Sequence, residues 1–432
     1  MADSKISIYP LLAVNFIGTF GLSLVLPFLI FLVERFGGNA IIYGLTASMY
    51  PVFQLVGGPL LGRWSDTYGR KKVLLLSQIG TFISWIIFLA AMIIPVTKII
   101  DVRSGMLGTF VLTVPLLLIF IARAFDGITG GNVSVANAYL ADITSDKDRS
   151  SVYGKLSVST NLGFIFGPAL AGILSVTVYG EILPVIAAVM IAFAGILMIA
   201  YLIPESSKHA LHPGPHIQGI KEARPGMKEV NSAISIKPGF LELMKMEGIF
   251  GILLIYFLIF MAYNVFYAAF PVHAANNLKW NSASLGIYFS LLSLLLVVVE
   301  GPVLTWISKR YSDASLLTLG SVILGFNFVL LVYGTDLLTY VALFFFALGN
   351  GLMWPSLMSM LSKTTKKEYQ GAVQGISTSF TSLASIIGLI AGGFMFSLFD
   401  AGTFLIVASM IFGVFLLSFK LRYSKKEDQQ KD

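Results

Sequence analysis

The chain has 432 residues, 56% of them hydrophobic and 12% charged, with a net charge of +7 and no cysteine. A soluble domain carries about twice that charged fraction, so an ordinary water-soluble fold is excluded. The lack of cysteine excludes disulfides and thiolate metal sites and leaves the compartment open.

The hydrophobic residues come in long blocks, each near the ~20 residues that a helix needs to cross a bilayer. Twelve spans are predicted, at 8–33, 41–62, 72–95, 107–131, 152–177, 182–203, 248–271, 283–305, 315–334, 337–361, 371–398 and 400–420. The fold class is therefore an all-α polytopic membrane protein. The first block is too long for a signal peptide and is expected to stay. Most connections are short. The exception is the polar stretch from Pro204 to Glu247, broken by Pro204, Pro213, Pro215, Pro225 and Pro238. It divides the chain into a six-helix half at 1–203, a linker at 204–247, a second six-helix half at 248–420 and a tail at 421–432.

With the N-terminus placed inside, 24 of the 29 lysines and arginines fall in cytoplasmic segments. Four fall outside (Arg35, Lys98, Arg103 and Lys279), and Arg123 lies within span 4. The positive-inside rule then predicts that both termini are cytoplasmic. This use of the basic residues accounts for the net charge without a nucleic-acid partner.

In span 1 the nearest polar side chain is Asn15, which cannot carry a proton. Between spans 2 and 3 lies a basic island, GRWSDTYGRKKVL, from Gly62 to Leu74. Gly62 and Gly69 are expected to turn the backbone at its two ends. Asp66 stands alone among Arg63, Arg70, Lys71 and Lys72 and needs a partner. A generic basic loop explains the cations but neither the acid nor the glycines.

Span 4 holds Arg123 and, three residues on, Asp126, which shares a helix face with it. A charge at mid-membrane is costly and usually faces a bundle interior with a partner. Two readings stand side by side: a fixed internal ion pair, or a proton site. Glu34 and Glu300 sit near span ends and are expected to be solvated or interfacial. Asp126 is the main candidate for a buried proton carrier and Glu300 the second.

Span 5 carries Gly163, Gly167, Pro168 and Gly172. Small residues at this spacing let helices approach closely, and the proline permits a bend. A packing seam is the plain reading. In the second half, Tyr263, Asn264 and Tyr267 (span 7) and Asn350 and Trp354 (span 10) offer amphipathic groups near the interior. With 34 phenylalanines in the chain, a single aromatic is more often a packing or lipid-facing group.

The halves also repeat. GPLLGRWSDTYG from Gly58 is echoed by GPVLTWISKRYS from Gly301, with Lys309 where Asp66 stands. Gly154, Leu162, Gly167 and Gly172 match Gly375, Leu383, Gly388 and Gly393 at a constant offset of 221. Parallel repeats of six spans are one plan on which transporters are built. In the linker, His209, His212 and His216 are interrupted by prolines and read as a solvated loop, so no metal site is expected. No phosphate-binding glycine loop appears, which argues against an ATP-driven pump. Neither an enzyme activity nor a cofactor is expected.

Gly62, Asp66, Gly69, Arg70 and Lys71 resemble motif A of the major facilitator superfamily, G-x-x-x-D-x-x-G-R-[KR]. Arg123, Gly127 and Gly130 resemble motif B of its drug:proton antiporter branch. Gly163, Gly167, Pro168 and Gly172 resemble motif C, with Ala171 replacing the first of its last two glycines. The stretch Ala138 to Thr144 resembles the same region of tetracycline-resistance-type multidrug exporters. The resemblance implies the major facilitator fold, twelve helices in two pseudo-symmetric halves, with spans 1, 4, 7 and 10 lining a cavity. Asn15, Tyr263, Asn264, Tyr267, Asn350 and Trp354 would then face substrate. Arg123, Asp126 and Glu300 would carry proton coupling. Asp66 would latch the island against the start of span 11, near Tyr369 to Gly375, with Arg70 and Asp142 extending the network. The sequence departs from the family in lacking an acid in span 1 and in having Asp126 where a small or amide residue is expected.

The expected function is proton-coupled export of a small amphipathic organic compound by alternating access. A facilitator or symporter of a nutrient or metabolite is the alternative. A non-transporting receptor or scaffold is a third reading. The expected partners are a small-molecule substrate, the proton and the lipid bilayer. A monomer in a bacterial inner membrane is expected.

Overall fold

The computed structural model describes residues 8–130, 132–144, 149–205, 248–364 and 370–428. Of the proposed linker, 204–247, residues 206–247 lie outside them, and with them His209, His212 and His216. Lipid offers no hydrogen bonds, so a chain this apolar must satisfy its backbone within each segment, and helices do so. Among the described residues, nine helices are long and apolar enough to cross a membrane, or ten with one bent pair. Two further features complete the expected twelve. The stretch Ile376–Phe419 holds both span 11 (Gln370–Phe399) and span 12 (Thr403–Asp428), split by a short turn at Asp400–Gly402. Span 4 is divided at Gly130 into Val114–Thr129 and Asn132–Ile143.

The remaining spans are 2 (Ala40–Tyr68), 3 (Arg70–Ile93), 5 (Arg149–Ser175), 6 (Ile182–Leu202), 7 (Ile249–Asn276), 9 (Asp313–Leu331) and 10 (Asp336–Thr364). Span 1 is broken, Tyr9–Leu24 meeting Leu29–Arg35 at 42°. Pro27, in the break, has no N–H to continue a helix. Span 8 runs Ser282–Val298, passes through a π-turn at Val299–Val303 and ends at Leu304–Ile307.

Two local expectations are corrected. The island is not a loop with a turn at each end. Span 2 stays helical through Gly62, Arg63 and Asp66 to Tyr68. Only Gly69 turns, at φ +102°, and span 3 begins at once with Arg70. A helix extending beyond the membrane carries polar residues and reads like a loop. The all-α reading also missed a hairpin, in which β1 (Lys98–Ser104) pairs antiparallel with β2 (Gly108–Thr113). Span 4 therefore starts at Val114, not at 107. Val111 N donates to Gly37 O at 2.8 Å, and Asn39 Nδ2 to Leu107 O at 3.0 Å, which ties the hairpin onto the connection between spans 1 and 2.

Spans 1–6 meet spans 7–12 most extensively along two helix pairs, span 2 with span 11 and span 5 with span 8, and span 7 also touches span 2 and the second segment of span 1. The tightest approach is at the hairpin end. A Cβ on Gly44 would lie 2.6 Å from Leu389 O and 3.2 Å from Gly393 Cα. A Cβ on Gly172 would lie 3.2 Å from Gly286 Cα, and one on Gly286 2.6 Å from Pro168 O. Side-chain hydrogen bonds cross the same end, from Asn276 Nδ2 to Glu34 Oε1 at 3.0 Å and from Ser282 Oγ to Glu181 Oε1 at 3.1 Å. The bundle is shut there.

Gly172→Leu should force the halves apart at this end. Because the chain has no cysteine, a single introduced thiol reports without background. Ser282 is buried. Labelling of Ser282→Cys is expected to rise about fivefold or more when Gly172→Leu is added, the shift that ~1 kcal/mol of overpacking produces. Unchanged labelling would mean that span 8 yields to the added side chain.

Candidate functional site

At the island, the polar groups are paired within the first half. Arg70 is the hub. Its Nη1 lies 2.5 Å from Asp66 Oδ1, and its Nε 3.0 Å from Asp142 Oδ2. Nη1 also donates to Ser65 Oγ at 2.6 Å. Gly69's positive φ opens span 3 so that its first N–H groups point outward. Glu205, just past span 6, accepts from Arg70 N at 2.8 Å and from Lys71 N at 3.2 Å. A carboxylate at a helix N-terminus is favoured by the helix dipole as well as by the hydrogen bonds. Lys71 Nζ donates to Ala200 O at 2.7 Å. The Asp66 side chain is 66% exposed. Tyr369, part of the partner expected for it, lies outside the described residues.

Deep in the same half, Arg123 and Asp126 are both buried. Arg123 Nη1 stands 3.7 Å from Asp126 Oδ2, an ion pair too long to be a hydrogen bond. The guanidinium instead lies over the ring of Tyr50, 5.1 Å from its centroid, where a cation is attracted to the π face. Thr81 reaches the Asp126 carboxylate from span 3. Asp126, Tyr50 and Thr81 line a cavity of about 80 Å³ together with Asn15, Gln78 and Trp85. That volume and the polar side chains on its wall suit a few water molecules. Water in that cavity would be within reach of the buried carboxylate.

The second cavity, about 270 Å³, lies where span 5 faces the second half. Asn161 and Phe164 come from span 5, Phe260, Tyr263 and Tyr267 from span 7, Glu300 from span 8, and Asn350 and Trp354 from span 10. Tyr263 donates its hydroxyl to Asn350 Oδ1. The Trp354 ring packs 5.0 Å from Phe260 and 5.2 Å from Tyr256, centroid to centroid. An apolar, aromatic wall with a few oriented polar groups is the usual make-up of a small-molecule site.

Glu300 is not at a solvated span end. It belongs to the π-turn of span 8 and faces this cavity. Such a turn adds a residue to the helix and redirects the side chains around it, and Pro302 withholds a donor inside it. Asn264 points away from the cavity. Its amide donates to Ser385 Oγ at 3.1 Å on span 11. Asn15 lines the smaller cavity, and its amide donates to Thr160 Oγ1 at 2.9 Å, tying span 1 to span 5. The span 5 glycines divide their work: a Cβ on Gly163 or Gly167 would strike Thr19, Phe20 or Ser23 of span 1, whereas Gly172 meets span 8.

Sequence reading missed Tyr50, Thr81 and Glu205. Tyr50 and Thr81 come from other helices than the groups they serve and Glu205 from beyond the end of span 6, so no spacing announces them. Among the described residues, no group of three or more potential metal ligands occurs.

The family described as Major Facilitator Superfamily matches residues 11–332 and 252–432. The tetracycline resistance protein, class E, of Escherichia coli is 25% identical over 396 residues, 89% of this chain and 87% of that protein. The class G protein of Vibrio anguillarum is 27% identical over 377 residues, 85% of this chain and 84% of that protein. Among solved structures, a bacterial homologue of the human lysosomal transporter Spinster, in an inward-facing and unoccupied conformation, superposes with a TM-score of 0.73 at 12% identity, covering 97% of each chain. The chain belongs to the major facilitator superfamily and is a multi-pass membrane transporter.

Proposed function

We propose that this transporter exports a small amphipathic organic compound in exchange for protons, by alternating access. The observation that carries the reading is the buried Asp126 carboxylate, set beside a small cavity that Asn15, Tyr50, Gln78 and Thr81 also line, with its cation 3.7 Å away. The aromatic cavity between the halves would hold the compound. The relatives named for tetracycline resistance support export, and the basic residues support cytoplasmic termini in a bacterial inner membrane. With the island inside, a bundle shut at the hairpin end would be the inward-facing member of the two states.

The cycle follows from two opposed terms at Asp126. Arg123 stabilises the carboxylate and burial disfavours it. When the bundle opens outward, water reaches the pair and Asp126 takes a proton. Arg123 then leans on Tyr50 alone. Inward opening or substrate binding expels the proton to the cytoplasm. The halves exchange between two packings, and each bound species shifts that equilibrium only by its differential affinity.

Asp126→Asn keeps shape and hydrogen bonding but cannot titrate. In proteoliposomes with tetracycline as the first probe, it is expected to abolish proton-driven accumulation and to leave binding and downhill exchange. If Asp126→Asn protein instead misfolds, and Arg123→Gln added to it restores folding and driven transport, the pair is structural and a facilitator is the better reading.

Asp66 is exposed in this inward-open arrangement, so its contact with span 11 would form only when the cytoplasmic end closes. A carboxylate meeting a helix start gains ~0.3–1 kcal/mol. Asp66→Asn should therefore lower transport and raise cytoplasmic labelling of a cysteine placed at Gly375. Normal transport with unchanged labelling would reject the latch.

A further inference from the structure

We propose that Glu300 and the rings around it form a subsite for a positively charged group, so that the transported compound is an organic cation. The inference rests on reading the cavity between the halves as the transport site. Among the residues lining that cavity, Glu300 is the one with a formal charge; the others are Asn161, Ser293, Asn350 and apolar or aromatic groups. Among the described residues, no lysine or arginine lines it. A carboxylate half-buried among such walls would be stabilised by a ligand that supplies the opposite charge.

The walls are suited to that ligand. Phe260, Tyr263, Tyr267 and Trp354 present aromatic rings, whose faces attract cations and shelter quaternary ammonium groups in particular. Tyr263 spends its hydroxyl on Asn350 Oδ1, which fixes the ring and leaves its donor unavailable to an anion.

The position of the acid is built in. A Cβ on Gly351 of span 10 would lie 2.5 Å from Val299 Cγ1 and 3.6 Å from Glu300 Cγ. The missing side chain lets the π-turn lie against span 10, with the Glu300 stem beside Gly351. The carboxylate is thus held at the cavity and is not left to reach for the membrane surface. The volume, about 270 Å³, is close to the lower end of small-molecule sites, ~300 Å³.

The test uses two probes of one shape, benzyltrimethylammonium and its neutral carbon isostere neopentylbenzene, on purified protein without a proton gradient. Wild type is expected to bind the cation roughly tenfold or more tightly than the isostere, and Glu300→Gln to lose that preference by weakening only the cation. Equal affinities in wild type, no binding of the cation, or a preference that survives Glu300→Gln would each overturn the subsite. If Glu300→Gln does not fold, the wild-type comparison decides alone. Because binding is read without a gradient, a failure of proton coupling would leave this result standing, and a failure here would leave coupling untouched.

Discussion

Backbone-to-backbone contact at the hairpin end governs what the rest of the bundle can do. Lipid supplies no hydrophobic force between helices, so association depends on close packing and interhelical hydrogen bonds. Gly44 against Gly393 and Gly172 against Gly286 provide the first. Glu34 with Asn276 and Glu181 with Ser282 provide the second. Packed interfaces of this kind have alternative arrangements and do not deform continuously. At the island end, Arg70 gathers Asp66 and Asp142 within the first half.

That arrangement separates two chemistries. The buried Asp126 lies within the first half, beside a cavity fit for water. Glu300 lies in the second half, at a larger cavity shared with span 5. In the cycle proposed above, the two acids would communicate through the state of the bundle, spans 1, 4 and 5 belonging to one half and spans 7, 8 and 10 to the other. Coupling between sites is then a shared preference for one packing over the other. The repeat in the sequence fits this division. It preserves shape, as in the glycines offset by 221 residues, and changes charge, as in Lys309 for Asp66.

The spans were legible because bilayer thickness imposes a block length that composition displays directly. The island was legible for the same reason, as the polar gap between two blocks. Its conformation was not: a helix that leaves the membrane at Gly62 turns polar without ending. The hairpin at Lys98–Thr113 was hidden because Ile99, Ile100, Phe110, Val111 and Leu112 look like the ends of neighbouring spans. Arg123 and Asp126 were visible as charges in an apolar run, and their spacing placed them on one face. The location of Glu300 was not visible, since it depends on a π-turn and on Gly351 from another span. Asn264 looked like a cavity residue because it lies between Tyr263 and Tyr267, but one residue along a helix is 100° around it, which turns it to span 11. Tyr50 and Glu205 belong to partners distant in sequence, and a single chain read without relatives carries no trace of such pairing.

Exchange of substrate for protons is the central claim, and proton release measures it most directly. Purified protein in weakly buffered solution with a pH indicator would be mixed with a compound already shown to bind. The account predicts that binding releases protons from the wild type and that Asp126→Asn releases none. Saturable binding with no proton release at any pH at which the protein is folded would contradict it.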